Sequence, residues 1–169
     1  EIGDISVTNG NASNFITTSG AVYSATITPT SEGNVNVDVN AGVATDVAGN
    51  LNTAATQNTT THDITSATVA LSADSAFMQT TKTVTFTFSE AVTGFALADI
   101  GVTKGSAGSF SSVSSQGDTA LITASSDGAV TVNIPASVAL DAAGNGNVAG
   151  NTLNLTSDTV APTLSVSTP

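Results

Sequence analysis

The sequence predicts an all-β protein made of β-sandwich units in tandem, and three observations carry that prediction. The chain repeats itself: Asp141-Ala142-Ala143-Gly144-Asn145 echoes Asp46-Val47-Ala48-Gly49-Asn50 at an offset of 141 − 46 = 95 residues. Residues 1–74 slide onto 96–169 at that offset without a gap, and more than a third of the pairs are identical. Such a period frames every other reading of the chain. Apolar residues also alternate with small polar ones, as in Val84, Phe86, Phe88 and in Val130, Val132, Ile134, which is the two-residue period of a half-buried strand. Finally, turn-forming Gly, Asn and Asp clusters interrupt these runs at short, regular intervals.

Taken from Asp63, the second unit reads as seven strands. Ala67–Ala73 opens it with Val69, Leu71 and Ala73 on one face. Asp74–Thr81 reads as a turn, and Lys82–Glu90 as the strongest strand in the chain. Ala91–Ala98 is a loop, followed by strands at Asp99–Lys104, Gly108–Val113 and Asp118–Ser125. Asp127-Gly128 signals a hairpin into Ala129–Ile134. Pro135 ends that ladder because it lacks the N–H the next pairing needs. A long loop, 136–150, carries the repeated Asp-x-x-Gly-Asn element, and Thr152–Thr156 closes the unit. Seven short strands with no need of a helix predict an immunoglobulin-like Greek-key β-sandwich. The Cys and Trp of antibody domains are absent.

The period sets the expected domains: 1–62 as a truncated repeat missing its first strands, 63–157 as a complete repeat, and 158–169 as the first strand of a following one. The chain therefore reads as a window on a longer polymer of like units. In the first copy Ile27, Val35, Val37 and Val39 are expected to lack an opposing sheet.

Thirteen acidic residues against two Lys and no Arg give a net charge of −11. That balance excludes the basic footprint needed for nucleic acid or an anionic membrane. With no Cys, disulfides and thiolate metal sites are excluded as well. Strand direction gathers the acids at one pole: Asp63, Glu90, Asp99 and the 141–147 loop with Asn145, and with Asp118 where the first copy has Tyr23. Asp74, Lys82, Lys104 and Asp127 fall at the other. A cluster of carboxylates and amide oxygens with no His or thiolate suits Ca²⁺, which accepts six to eight oxygen ligands. The candidate metal residues are Asp63, Glu90, Asp99, Asp141 and Asn145, with the repeat equivalents Asp4, Asp46, Asn50 and Asp158. The alternative is that Asp-x-x-Gly-Asn is simply a turn, since turns favour those residues. Neither the EF-hand nor the glycine-rich nonapeptide spacing is present.

The run Val84-Thr-Phe86-Thr-Phe88-Ser-Glu90-Ala-Val92-Thr-Gly94-Phe95, followed by Ala98-Asp99-Ile100, Asp141-Ala-Ala-Gly-Asn145 and Asp158-Thr-Val-Ala-Pro162, resembles the bacterial Ig-like repeats of large biofilm-associated and RTX-type surface adhesins. The resemblance implies a secreted, cell-surface stalk whose domains stand in series with joints stiffened by Ca²⁺. Its partners would be neighbouring repeats and a host or matrix ligand held elsewhere in the protein. The first copy departs from it at Ala67, where the second has Pro162.

No catalytic chemistry is expected. The single His62 has no serine and acid placed around it for a triad, and no apolar pocket is visible to shift Glu90 or Asp99 into an acid/base pair. Two rival functions stand beside the stalk. One is a carbohydrate- or protein-binding module, for which Tyr23 and Phe95 are the candidate loop aromatics. The other is a subunit of a surface layer or filament, joined when residues 158–169 of one chain complete 1–62 of the next.

Overall fold

Alternating β-branched and small polar residues build strands throughout, and the computed structural model describes residues 1–168. The chain divides into two compact units, Glu1–Ile64 and Thr65–Pro169. The first holds β1 (Ile5–Thr8), β2 (Gly10–Ser19), β3 (Val22–Pro29), β4 (Gly33–Val39) and β5 (Asn58–His62). β1, β4 and β5 form an antiparallel sheet in the order β1-β4-β5, and β2 and β3 form a separate hairpin. Val35 is buried, in the corner where it nears the backbone of Gly10, whereas Val37, Val39 and Ile27 stay half-buried.

The second unit holds β6 (Val69–Ser72), β7 (Phe77–Met78), β8 (Thr81–Phe88), β9 (Gly101–Thr103), β10 (Gly105–Ser114), β11 (Gly117–Ala124), β12 (Gly128–Asn133) and β13 (Leu153–Ser157). Two four-stranded sheets result, β10-β11-β8-β6 and β7-β13-β12-β9. Their inner faces supply one core: Val84, Phe86 and Ile122 from the first, Val130, Val132 and Leu155 from the second, with Ile134 closing the loop end. Phe95 reaches in from the loop after β8. Its ring meets Phe86, Phe88 and Phe110 edge-on at 5.5, 5.3 and 5.6 Å, the geometry in which aromatic quadrupoles attract. This is the expected all-β, immunoglobulin-like sandwich.

The departures from the sequence reading are local. The segment expected to be only a turn, 74–81, contains β7, a two-residue strand parallel to β13. A pairing that short has no period to betray it. β10 begins at Gly105, not Gly108. A Cβ on Gly105 would lie 2.5 Å from the Thr123 carbonyl oxygen, so glycine lets the two strands approach there. Two short 3-10 turns, Ile2–Asp4 and Leu97–Asp99, occupy equivalent positions. Residues 158–168 carry no strand pairing, as a single strand without a sheet gains too little to hold one.

The 95-residue period reaches into the backbone. Asn9 and Lys104, and likewise Asn14 and Ser109, all adopt positive φ between 46° and 59°, a conformation few side chains adopt. Both copies therefore make the same turns through different residues.

Candidate metal centre

The Asp-x-x-Gly-Asn loops are built by their own hydrogen bonds. The Asp141 Oδ1 accepts from the N–H groups of Ala143 (2.8 Å) and Asn145 (2.9 Å), and Oδ2 accepts from Asn145 Nδ2 at 2.9 Å. The first copy reproduces this almost to the decimal: Asp46 Oδ1 accepts from Ala48 (2.8 Å) and Asn50 (2.9 Å), and Oδ2 from Asn50 Nδ2 at 2.9 Å. Gly49 and Gly144 supply the positive φ, 89° and 92°, that closes each turn.

These bonds favour the ionised carboxyl. At Asp46 the Asn50 side chain, then its backbone N–H, hold the pKa below the ordinary carboxylate value. At Asp141 burial is the largest single influence and pushes the pKa up, but the bonds from Asn145, Ala143 and Gly144 outweigh it and the net shift is downward. Asp141 is only 5% exposed.

A second asparagine, whose structural role the sequence reading missed, anchors each loop. Asn147, 1% exposed, accepts at Oδ1 from the N–H groups of Val138 and Ala139 and donates through Nδ2 to the carbonyls of Pro135 and Val148. Asn52 makes the same four bonds to Val43, Ala44, Asn40 and Thr53. The identity of Asn52 and Asn147 across the repeat was the signal that could have exposed this role. Asn151 adds a further tie, pairing both faces of its amide with the Leu71 backbone on β6.

Around the second loop the structure brings together part of the candidate ligand set. Carboxylate oxygens of Glu90 and Asp141 lie within 4.8 Å of each other. Asn145 Nδ2 also reaches the Thr65 carbonyl at 3.5 Å. Asp99 is engaged differently: its Oδ2 accepts from the Ala96 N–H at 2.8 Å and closes a 3-10 turn. Asp4, its equivalent, pairs with the N-terminal ammonium of Glu1. Asp158 caps the chain after β13, accepting from the Val160 N–H at 2.9 Å. Asp63 follows β5 directly, at the end of the first unit. Asp46 and Asn50 form the free-standing turn already described. At the opposite end of the second unit, Lys82 Nζ binds Asp74 at 2.9 Å and holds the Asp74 carboxyl below its usual pKa.

Chemically, the Asp-x-x-Gly-Asn element is held by its own donors, which have the same geometry in both copies. In the second unit Glu90 and Asp141 bring two carboxylates close together. Two like charges at that separation repel by about 1 kcal/mol in water and more where solvent is excluded. Oxygen-only donors of this kind fit a hard cation such as Ca²⁺.

The family described as bacterial Ig-like domain matches this chain twice, over residues 1–64 and 62–157. No curated protein matches it. Two matches covering most of the sequence, on units that share the same loop geometry, place the chain in the bacterial Ig-like domain family, of which it carries successive copies.

Proposed function

We propose that this chain is a run of spacer repeats from a secreted bacterial cell-surface adhesin, a structural stalk that holds another domain away from the cell. The observation that carries this reading is the in-register duplication. Domains of this family commonly occur as repeats of surface proteins. Here the conserved economy of the two copies lies in loops that hydrogen-bond to themselves, with turns matched down to their positive φ values. Repeat arrays of this kind grow by adding identical modules that contact only their neighbours. Arrays of two, three and four copies of residues 63–157 test it in solution scattering. The maximum dimension should rise by a constant step per copy; a compact particle whose radius grows only with the cube root of mass would overturn the stalk.

The same reading includes calcium at the Glu90–Asp141 end of the second unit. Asn145, in the same loop as Asp141, would add a neutral oxygen ligand. Bound calcium would turn the repulsion between Glu90 and Asp141 into attraction. The stabilisation would be about 2.7 kcal/mol at a hundredfold excess over Kd. Melting curves in millimolar calcium and in chelator should separate. Asp141→Ala should remove most of the difference, and Asp127→Ala, at the other end, should not. Superimposed curves for the parent chain would sink the calcium claim and leave the stalk standing.

A further inference from the structure

The two Asp-x-x-Gly-Asn loops share their hydrogen bonds but not the residue that follows them. Asn50 precedes Leu51, whereas Asn145 precedes Gly146. Packing accounts for the glycine. A Cβ on Gly146 would lie 2.9 Å from Ser137 Oγ and 3.1 Å from Ser137 Cα, so a side chain there would collide with Ser137. In the first copy the pair is reversed, with Gly42 at the place of Ser137 and Leu51 at that of Gly146. Gly42 and Ser137 both hold positive φ, 80° and 61°. The second loop therefore carries an Asn-Gly step, in which no Cβ shields the backbone nitrogen next to the amide side chain. The loop uses the N–H groups of Asp141, Gly144 and Asn147 on nearby carbonyls, and those of Ala143 and Asn145 on the Asp141 carboxylate. The Gly146 N–H is not among them. Asn145 and Gly146 are both half-buried, so water reaches them. The chain's other Asn-Gly step, Asn9-Gly10, is tied differently: Asn9 Oδ1 accepts from Thr30 Oγ1 and from the N–H and Oγ of Ser31.

We propose that Asn145 is a modification site, where the side-chain amide is lost spontaneously to water through the Gly146 nitrogen. That nitrogen attacks Asn145 Cγ and gives its proton to water. The new C–N bond closes a succinimide ring as the Cγ–Nδ2 bond breaks and ammonia leaves. A water molecule then opens the ring at one of its two carbonyls, which yields aspartate or its β-linked isomer. The net change is amide plus water to carboxylate plus ammonium, with nothing oxidised or reduced. Gly146 favours the step because no side chain hinders its nitrogen, and Leu51 opposes it in the other copy. The product changes the loop. Asn145 Nδ2 donates to Asp141 Oδ2 at 2.9 Å; a carboxylate in its place accepts only, so a bond gives way to repulsion between like charges. This goes beyond the spacer reading and stands whether or not the loop takes a cation.

The test incubates the full chain at physiological pH with chelator, so that no cation shields the loop, and then digests it. Mass spectrometry with chromatographic separation of the isomers reads the acid formed at each asparagine. Acid at position 145 should accumulate at least about tenfold faster than at position 50, which corresponds to a barrier lower by about 1.4 kcal/mol. The β-linked isomer should be part of the product, because only ring opening forms it and direct hydrolysis of the amide does not. A chain carrying Ser137→Gly with Gly146→Leu has the first copy's pairing in the second loop and should lose the excess at position 145. The comparison of positions 145 and 50 is made within the unaltered chain, so it does not depend on how that variant folds. Equal rates at the two positions overturn the proposal, and so does acid at position 145 without the isomer.

Discussion

The two units make the same turns but do not bury the same residues, and the contrast separates what is local in this fold from what is not. Asp46 and Asp141 accept the same hydrogen bonds from the same relative positions, as do Asn52 and Asn147. Yet Val132 and Ile122 are fully buried, while their equivalents Val37 and Ile27 remain half-exposed. Loops and hairpins are specified by short-range bonds and survive without an opposing layer. A closed core needs both layers at full width, and the first unit has layers of three and two strands where the second has four and four. A two-layer sandwich is the smallest arrangement that buries a sheet face.

The largest expected difference between the copies is in the core. Ile122→Ala removes a side chain enclosed on all sides and should cost about 2–5 kcal/mol in the second unit. Ile27→Ala, half in water already, should cost about 1 kcal/mol or less, since less apolar surface is lost from burial. Chemical denaturation of each variant measures both, and equal costs would break the comparison.

A smaller contrast is expected at the anchoring asparagines. Asn147→Ala strands two N–H groups and two carbonyls in a buried loop, at about 1–3 kcal/mol for each group that water cannot reach. Asn52→Ala should cost clearly less, because Asn52 is only half-buried and water can replace its bonds. Thermal melts would show it, and a milder effect at position 147 than at 52 would run against the account.

The smallest is a pH effect shared by both loops. Asp46 and Asp141 have folded pKa values below the ordinary one. Their contribution is therefore complete above the unfolded value of about 3.9 and is lost as pH falls through the folded values. Asp141→Asn should flatten the acid limb of the stability curve between about pH 4 and the onset of acid unfolding. An unchanged limb would show that the loop bonds do not discriminate the ionised form.

The repeat, the order of the main strands and the sandwich were legible in the sequence because period and alternation are one-dimensional signals. Strand limits moved by a few residues where Gly105 allows a close backbone approach and where Pro135 was expected to be the terminator but pairing stops at Asn133. β7 was invisible because two residues carry no period. Asn147 lies in the 141–147 loop that strand direction grouped with the acids, and nothing in its neighbours announces that its amide replaces four backbone partners. Glu90 and Asp141 were grouped from strand direction alone, and they lie close together in the second unit. Asp99 was grouped with them by the same argument, but its side chain closes a 3-10 turn, a local use that strand direction does not reveal. Asp118, 6% exposed on the inner face of β11, sits where the alternating pattern puts an apolar residue. The copy with Tyr23 keeps the apolar choice, and nothing in the structure explains the aspartate.

Amide hydrogen exchange on the intact chain tests the central claim most directly, because it compares equivalent strands in one sample. The amides of β11 and β12 should be protected at least about a hundredfold more than those of β3 and β4, a ratio that corresponds to about 2.7 kcal/mol of difference in opening free energy. Loop amides that bond Asp46 and Asp141 should differ far less between copies. Equal protection of β4 and β12 in a monomeric chain would contradict the claim that the two full four-stranded layers, and not the strands themselves, hold this fold closed.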